Sequence, residues 1–196
     1  KIDLIENFLI DAKTILIGGG MTFTFLKAMG LDVGKSIIDE QMISVANKVI
    51  KKARQNRVKI VFPIDFIVAD SIDKPSKIET ISFDSIPTNM MGLDIGPETI
   101  KLFSKILQKS GTILWNGPMG VFEKKNFENG TKEITNLLSE LKGENIITIV
   151  GGGDSASAIR KFSNIENFTH VSTGGGASLE LLSGKNLPAI EALGKL

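Results

Sequence analysis

The residues best placed for chemistry in this sequence are mostly residues without side chains. Three glycine triplets, at 18–20, 151–153 and 174–176, each follow a short apolar or β-branched segment, TILI, IITIV and THVST. A strand that delivers the chain to such a loop lets backbone N–H groups approach an anion closely. A helix beginning just beyond adds the positive end of its dipole. One such loop is often only a tight turn, but three in a chain of 196 residues point to phosphate handling. Asp154 directly follows the second triplet at the mouth of a helical pattern. A carboxylate there either caps the helix or holds a hard cation against phosphate oxygens, and residue type leaves both open.

Two nucleotide motifs fail on inspection. Gly34-Lys35-Ser36 has the ending of a P-loop, yet Met29 stands where that motif needs its first glycine, after a helix instead of a strand. The first triplet continues Met21-Thr22-Phe23, so Phe23 fills the place of the third glycine of a dinucleotide fingerprint, where helix must pack close to strand. Asp39 and Glu40 lie at the distance of a ribose-binding acid but open a helical pattern, where a capping role competes.

The elements that must hold these loops alternate. Helical periodicity is predicted over 2–12, 21–29, 39–57, 98–108, 129–141, 155–162 and 177–182. Strands are predicted at 14–17, 58–62, 66–69, 77–83, 112–115, 146–150 and 169–171. The strands at 66–69 and 77–83 are expected to turn or cover the sheet edge, and MGLDIGP (91–97) reads as a loop. Alternation of this kind predicts a Rossmann-like α/β fold, a three-layer αβα sandwich on a mostly parallel sheet, as one domain over 1–196. The loops at the strands' carboxyl ends then form a crevice.

Composition narrows the partners. Hydrophobic residues make up 42%, enough for a substantial core. Twenty-three Lys and Arg against 22 Asp and Glu leave a net charge of +1, so no global field favours nucleic acid or an anionic membrane, and any anion site is local. With 0 cysteines, disulfides, thiolate chemistry and cysteine-based zinc sites are excluded. No run approaches the ~18 apolar residues of a membrane span, and the expected setting is cytoplasmic. The triplets Asn129-Gly130-Thr131 and Asn167-Phe168-Thr169 would matter only after a signal peptide. Lys1 opens directly into an amphipathic pattern, from which the chain is expected to be a piece of a longer polypeptide.

The stretches WNGPMGVFE, ITIVGGGDSASAI and HVSTGGGASLELL, with GGGMTFTFLKAMG and MGLDIGP, closely resemble phosphoglycerate kinase. The resemblance runs the length of the chain and covers only that family's carboxyl-terminal, nucleotide-binding domain. It implies a glycolytic, cytoplasmic, monomeric phosphotransferase that moves a phosphoryl group between 1,3-bisphosphoglycerate and ADP with Mg2+, giving 3-phosphoglycerate and ATP. The phosphoglycerate is held by the amino-terminal domain, which this sequence lacks. Residue by residue, it implies that Gly18, Gly19 and Phe23 form one side of an adenine slot and Gly92 and Leu93 another. Asn116, Pro118, Val121 and Glu123 line the ribose and phosphate side, with Glu123 accepting from ribose hydroxyls. Gly151, Gly152, Gly153 and Ser155 lie near the phosphates, and Asp154 takes the metal role. Lys1 and the amides of Gly174, Gly175 and Gly176 face the phosphoryl group in transfer. Trp115, Phe122 and Leu93 also suit plain core packing, and His170 is expected as a structural group, since this transfer needs no imidazole base. Ala189 stands where the family commonly has glycine. A non-catalytic nucleotide-binding module and a dinucleotide-binding domain are the competing readings.

Overall fold

A computed structural model of the chain describes residues 2–172. In order these form α1 (Ile2–Phe8), β1 (Thr14–Leu16), α2 (Met21–Ala28), α3 (Ile43–Gln55), β2 (Lys59–Val61), β3 (Asp65–Ala69), β4 (Ile78–Ser82), β5 (Met91–Ile95), α4 (Pro97–Leu107), β6 (Thr112–Asn116), α5 (Asn129–Leu141), β7 (Ile147–Gly151), α6 (Gly153–Phe162) and β8 (His170–Ser172). The helix expected at 177–182 lies outside the described residues.

β1 pairs with β2, and β6, β7 and β8 pair in that order, all in parallel. β3 runs antiparallel to both β4 and β5, so the edge-covering strands expected at 66–69 and 77–83 form one arm of a separate ladder. One core joins Leu16 and Val61 to Trp115, Val150, Ile134 and Ile159. A second packs α1, α2 and α3 together around Phe25 and Val49. The result is the expected Rossmann-like α/β architecture, mostly parallel sheet covered by helices.

MGLDIGP was expected as a loop and is instead largely strand β5, buried from Gly92 to Gly96. Gly92 and Asp94 disfavour a strand by type, and each is there for a packing reason. A Cβ on Gly92 would stand 2.2 Å from Cζ of Phe23. The Asp94 carboxylate accepts from the Gly130 N–H at 2.7 Å, at the start of α5. The helix expected over 39–57 is shorter at both ends. A single 3-10 turn, Glu40–Met42, precedes α3, and Arg57 closes it with φ of 59°. Within α3, Ala46, Val49 and Ala53 form the buried stripe, and Lys52 and Arg54 sit in the last turn, where the dipole favours them.

Helix α4 shows how distant sequence can position an element. Pro97 takes the first turn, where its missing N–H costs nothing. The buried Asp65 carboxylate accepts from the N–H groups of Glu98 at 3.0 Å and Thr99 at 2.7 Å, and from the Thr99 hydroxyl at 2.6 Å. The orphan donors of this helix start are thus satisfied from β3.

Candidate functional site

Parallel pairing sends β6, β7 and β8 out of the sheet on one edge, ending at Asn116, Gly151 and Ser172. The loop after β1 meets that edge. A Cβ on Gly18 would lie 2.5 Å from Sδ of Met119, and one on Gly19 2.5 Å from the Pro118 carbonyl oxygen. The first triplet and the NGPMG turn are therefore in van der Waals contact, and Gly19 holds φ of +64° to achieve it.

The NGPMG turn is also tied to the second triplet. The Ser155 hydroxyl, fully buried, accepts from the Gly117 N–H at 2.7 Å, while Trp115 Nε1 donates to the Gly117 carbonyl at 2.7 Å. Gly152, with φ of +98°, would place a Cβ 2.7 Å from Oδ1 of Asn116. On the β5 side the Val121 N–H donates to the Leu93 carbonyl at 2.8 Å. Gly120 and Gly130 have no room for side chains because the Asp94 carboxylate occupies both spaces, a Cβ on either falling 2.3 Å from its Oδ1. Burial pushes the Asp94 carboxyl up to about 7, against the pull of the N–H groups of Gly130 and Ile95.

These contacts gather Gly18, Gly19, Gly92, Leu93, Asn116, Pro118, Val121, Gly152 and Ser155 into one continuous region. Their individual roles separate. Phe23 is an interior residue, 5.1 Å from the Phe66 ring and filling the space over Gly92. Leu93, Trp115 and Phe122 are buried in the core, as plain packing predicts. Ser155 spends its hydroxyl on Gly117. Gly151 ends β7 in the interior, whereas Gly153 begins α6 on the surface with nothing within 4 Å of a notional Cβ. His170 is exposed on β8. Lys1, Gly174, Gly175 and Gly176 lie outside the described residues.

Two carboxylates stand ready on the open side. Asp154 is exposed in the first turn of α6, whose N-cap is Gly152 with no side-chain cap bond, and its carboxylate has no hydrogen bond or ion pair among the described residues. Capping therefore does not account for it. Glu123 is likewise exposed and without a partner among the described residues. No group of three His, Cys, Asp or Glu able to hold a metal occurs among the described residues. A lone carboxylate of this kind can serve a hard cation only as one ligand beside water and phosphate oxygens.

One part of the surface was marked in sequence only by Asp39 and Glu40. An open depression of about 690 Å³ is lined by Gly20, Met21, Thr24, Ile37 and Ile38 on one side and Asp39, Glu40 and Gln41 on the other, and Ile37 is 74% exposed at its wall. In sequence Ile37-Ile38 is indistinguishable from a core pair. Nor does Gly34-Lys35-Ser36 hold an anion: the Ser36 hydroxyl accepts from the Gly92 N–H at 2.9 Å, fastening this segment to β5.

The fold and the gathered loops define a Rossmann-like α/β domain whose glycine-rich turns converge at the carboxyl ends of its parallel strands. A sequence model of phosphoglycerate kinase matches residues 1–185, and the chain belongs to that family. It is 52% identical over 193 residues to phosphoglycerate kinase of Finegoldia magna and 47% identical over 193 residues to that of a Synechococcus species, covering 98% of this chain in both cases. The solved phosphoglycerate kinase of Coxiella burnetii superposes with a TM-score of 0.91 at 39% identity, covering 98% of this chain and 49% of that one. That of Pyrococcus horikoshii gives 0.74 at 30% identity, with 98% and 48% covered. The chain spans about half the length of the curated relatives it matches, 48% and 47% of the first two.

Proposed function

We propose that this chain is the nucleotide-holding half of a phosphoglycerate kinase and binds Mg·ADP and Mg·ATP where β1, β6 and β7 end. The observation that carries the reading is the exposed Asp154 carboxylate in the first turn of α6, without a partner among the described residues and beside the open Gly153. A helix start with free N–H groups attracts the nucleotide's phosphates, and a carboxylate in the same turn is repelled by them unless a divalent cation lies between. Asp154 would hold that magnesium, which neutralises phosphate charge when bound. Glu123 accepts from the ribose hydroxyls, and the Ile37 wall of the depression beside Gly20 receives the flat base.

The reaction passes a phosphoryl group from the acyl phosphate of 1,3-bisphosphoglycerate to a terminal oxygen of ADP. One P–O bond forms, one breaks, and the carboxylate of 3-phosphoglycerate leaves. Such a transfer asks for positioned donors more than covalent chemistry. Resemblance assigns that task to Lys1 and the amides of Gly174, Gly175 and Gly176. The acceptor carboxylate needs a second, basic surface closing over the first, supplied in this reading by an amino-terminal domain. The chain by itself then binds nucleotide as a monomer and does not turn over.

Titration calorimetry with ADP tests this. Asp154→Ala should weaken binding about tenfold or more with magnesium present and within twofold in EDTA. An equal loss in both would return Asp154 to a structural role, and turnover by the purified chain alone would overturn the division of labour.

A further inference from the structure

We infer that Lys161 is a positioning residue for the candidate nucleotide site, fixing the ribose-side loop against the helix that starts at the phosphate side. The inference rests on the nucleotide reading above. Lys161 lies about two turns beyond Asp154 on α6. Its ammonium donates to the Phe122 carbonyl at 2.6 Å and to the Glu128 carboxylate at 2.6 Å, and it stands 5.0 Å over the Phe162 ring and 5.9 Å from the Phe122 ring. One cation thus ties together the far end of α6, the residue before α5, and the backbone between Val121 and Glu123.

The placement matters because Phe122 is anchored in the core and Val121 is half-buried against the Leu93 and Phe127 cluster, while Glu123 next to them is exposed. The Val121 N–H is held by the Leu93 carbonyl, so that side of the loop is fixed by β5. On the Glu123 side the Lys161 bond to the Phe122 carbonyl is the corresponding restraint, reinforced by the Lys124 N–H donating to the Val121 carbonyl at 3.0 Å. The Lys161 and Glu128 side chains are 38% and 22% exposed, so this pair is less screened than the other ion pairs of the described residues. Two of the three ammonium donors of Lys161 are spent on protein, and in this reading it acts through Glu123.

The test uses Lys161→Met, which keeps the apolar stem over both rings, with ADP and 2′,3′-dideoxy-ADP as probes in the presence of magnesium. If Lys161 positions Glu123, the substitution weakens ADP about tenfold and dideoxy-ADP, which has no hydroxyls for Glu123, within twofold. Lys161→Arg restores ADP to within threefold. The ratio of ADP affinities with and without magnesium stays at the wild-type value, since Asp154 is untouched. Equal weakening of both probes, or no weakening of either, overturns the positioning role. Should Lys161→Met unfold the chain, Lys161→Leu, which likewise removes the donor to the Phe122 carbonyl, takes its place, and selective weakening of ADP supports the role as before while equal or no weakening overturns it. Failure of the wild-type chain to bind ADP at all is a different result, overturning the nucleotide reading and this inference with it.

Discussion

At the first glycine triplet a Cβ on Gly19 would stand 2.5 Å from the Pro118 carbonyl oxygen, whereas at the second a Cβ on Gly153 would meet nothing within 4 Å. Both triplets follow a parallel strand and precede a helix. Gly19, like Gly152, is side-chain-free where protein fills the space, whereas at Gly153 the space is open. A missing side chain is therefore two different signals. At the first triplet it lets the turns after β1 and β6 interlock, and at the second it leaves a helix start that an anion can reach.

The packed side should break hardest under substitution. Gly19→Ala puts an L side chain at φ of +64° and against a backbone oxygen that cannot rotate away. The left-handed backbone costs about 1–2 kcal/mol and the overlap adds about 1–3. A loss of roughly 3–4 kcal/mol is expected, read as a lower midpoint in urea with unchanged slope. Gly92→Ala, meeting the Phe23 ring at 2.2 Å, should behave alike, because Phe23 is itself wedged against Phe66. If Gly19→Ala unfolds within 1 kcal/mol of wild type, the interlock is not what holds these turns.

The same packed side gives a pH signature. Asp94 fills the space at Gly120 and Gly130, and burial raises its carboxyl from an ordinary 3.8 to about 7. Between those values the folded chain keeps a proton that the unfolded chain has lost. Its contribution is therefore fully present below about pH 4 and is lost as pH rises through about 7. At 1.36 kcal/mol per unit over the roughly three units between those values, the decline is on the order of 4 kcal/mol. Asp94→Asn should flatten it, while losing about 1–2 kcal/mol at all pH because an amide offers one acceptor to the N–H groups of Ile95 and Gly130. The difference between the two chains in urea midpoint, measured from pH 4.5 to 8, is the check. A wild-type slope that survives in Asp94→Asn would assign it to another group.

How much of this was legible beforehand follows from where the information lies. The alternation of strands and helices and the triplets themselves are local patterns, and β1, β6, β7, α2, α5 and α6 fall within a few residues of their expected bounds. β5 was not legible, because Gly92 and Asp94 answer to Phe23 and Gly130, far away in sequence. For the same reason the first triplet gave no sign that Met119 and Pro118 would occupy it. The Asp154 choice between cap and ligand was not legible, since only three dimensions show that α6 has no side-chain cap bond among the described residues. Lys161 looked like any basic residue in a last helical turn, and its partners come from 33 and 39 residues away.

The open side should respond least in stability and most selectively in binding. Gly153 is the first residue of α6, has no positive φ and has open space around it, so Gly153→Ala is compatible with the backbone. Replacing glycine there limits the unfolded chain and suits the helix, so stability should stay within about 0.5 kcal/mol of wild type or rise slightly. The added methyl group nevertheless occupies the approach to the first N–H groups of the helix. Displacing a phosphate oxygen there by a few tenths of an ångström weakens a charge-assisted bond, and about a tenfold loss of Mg·ADP affinity is expected, roughly 1.4 kcal/mol. Adenosine, which carries no phosphate, should bind both chains equally. A variant that loses stability as Gly19→Ala does would show that the second triplet is packed like the first, and one that keeps full Mg·ADP affinity would show that the open space at Gly153 is not where the phosphates lie.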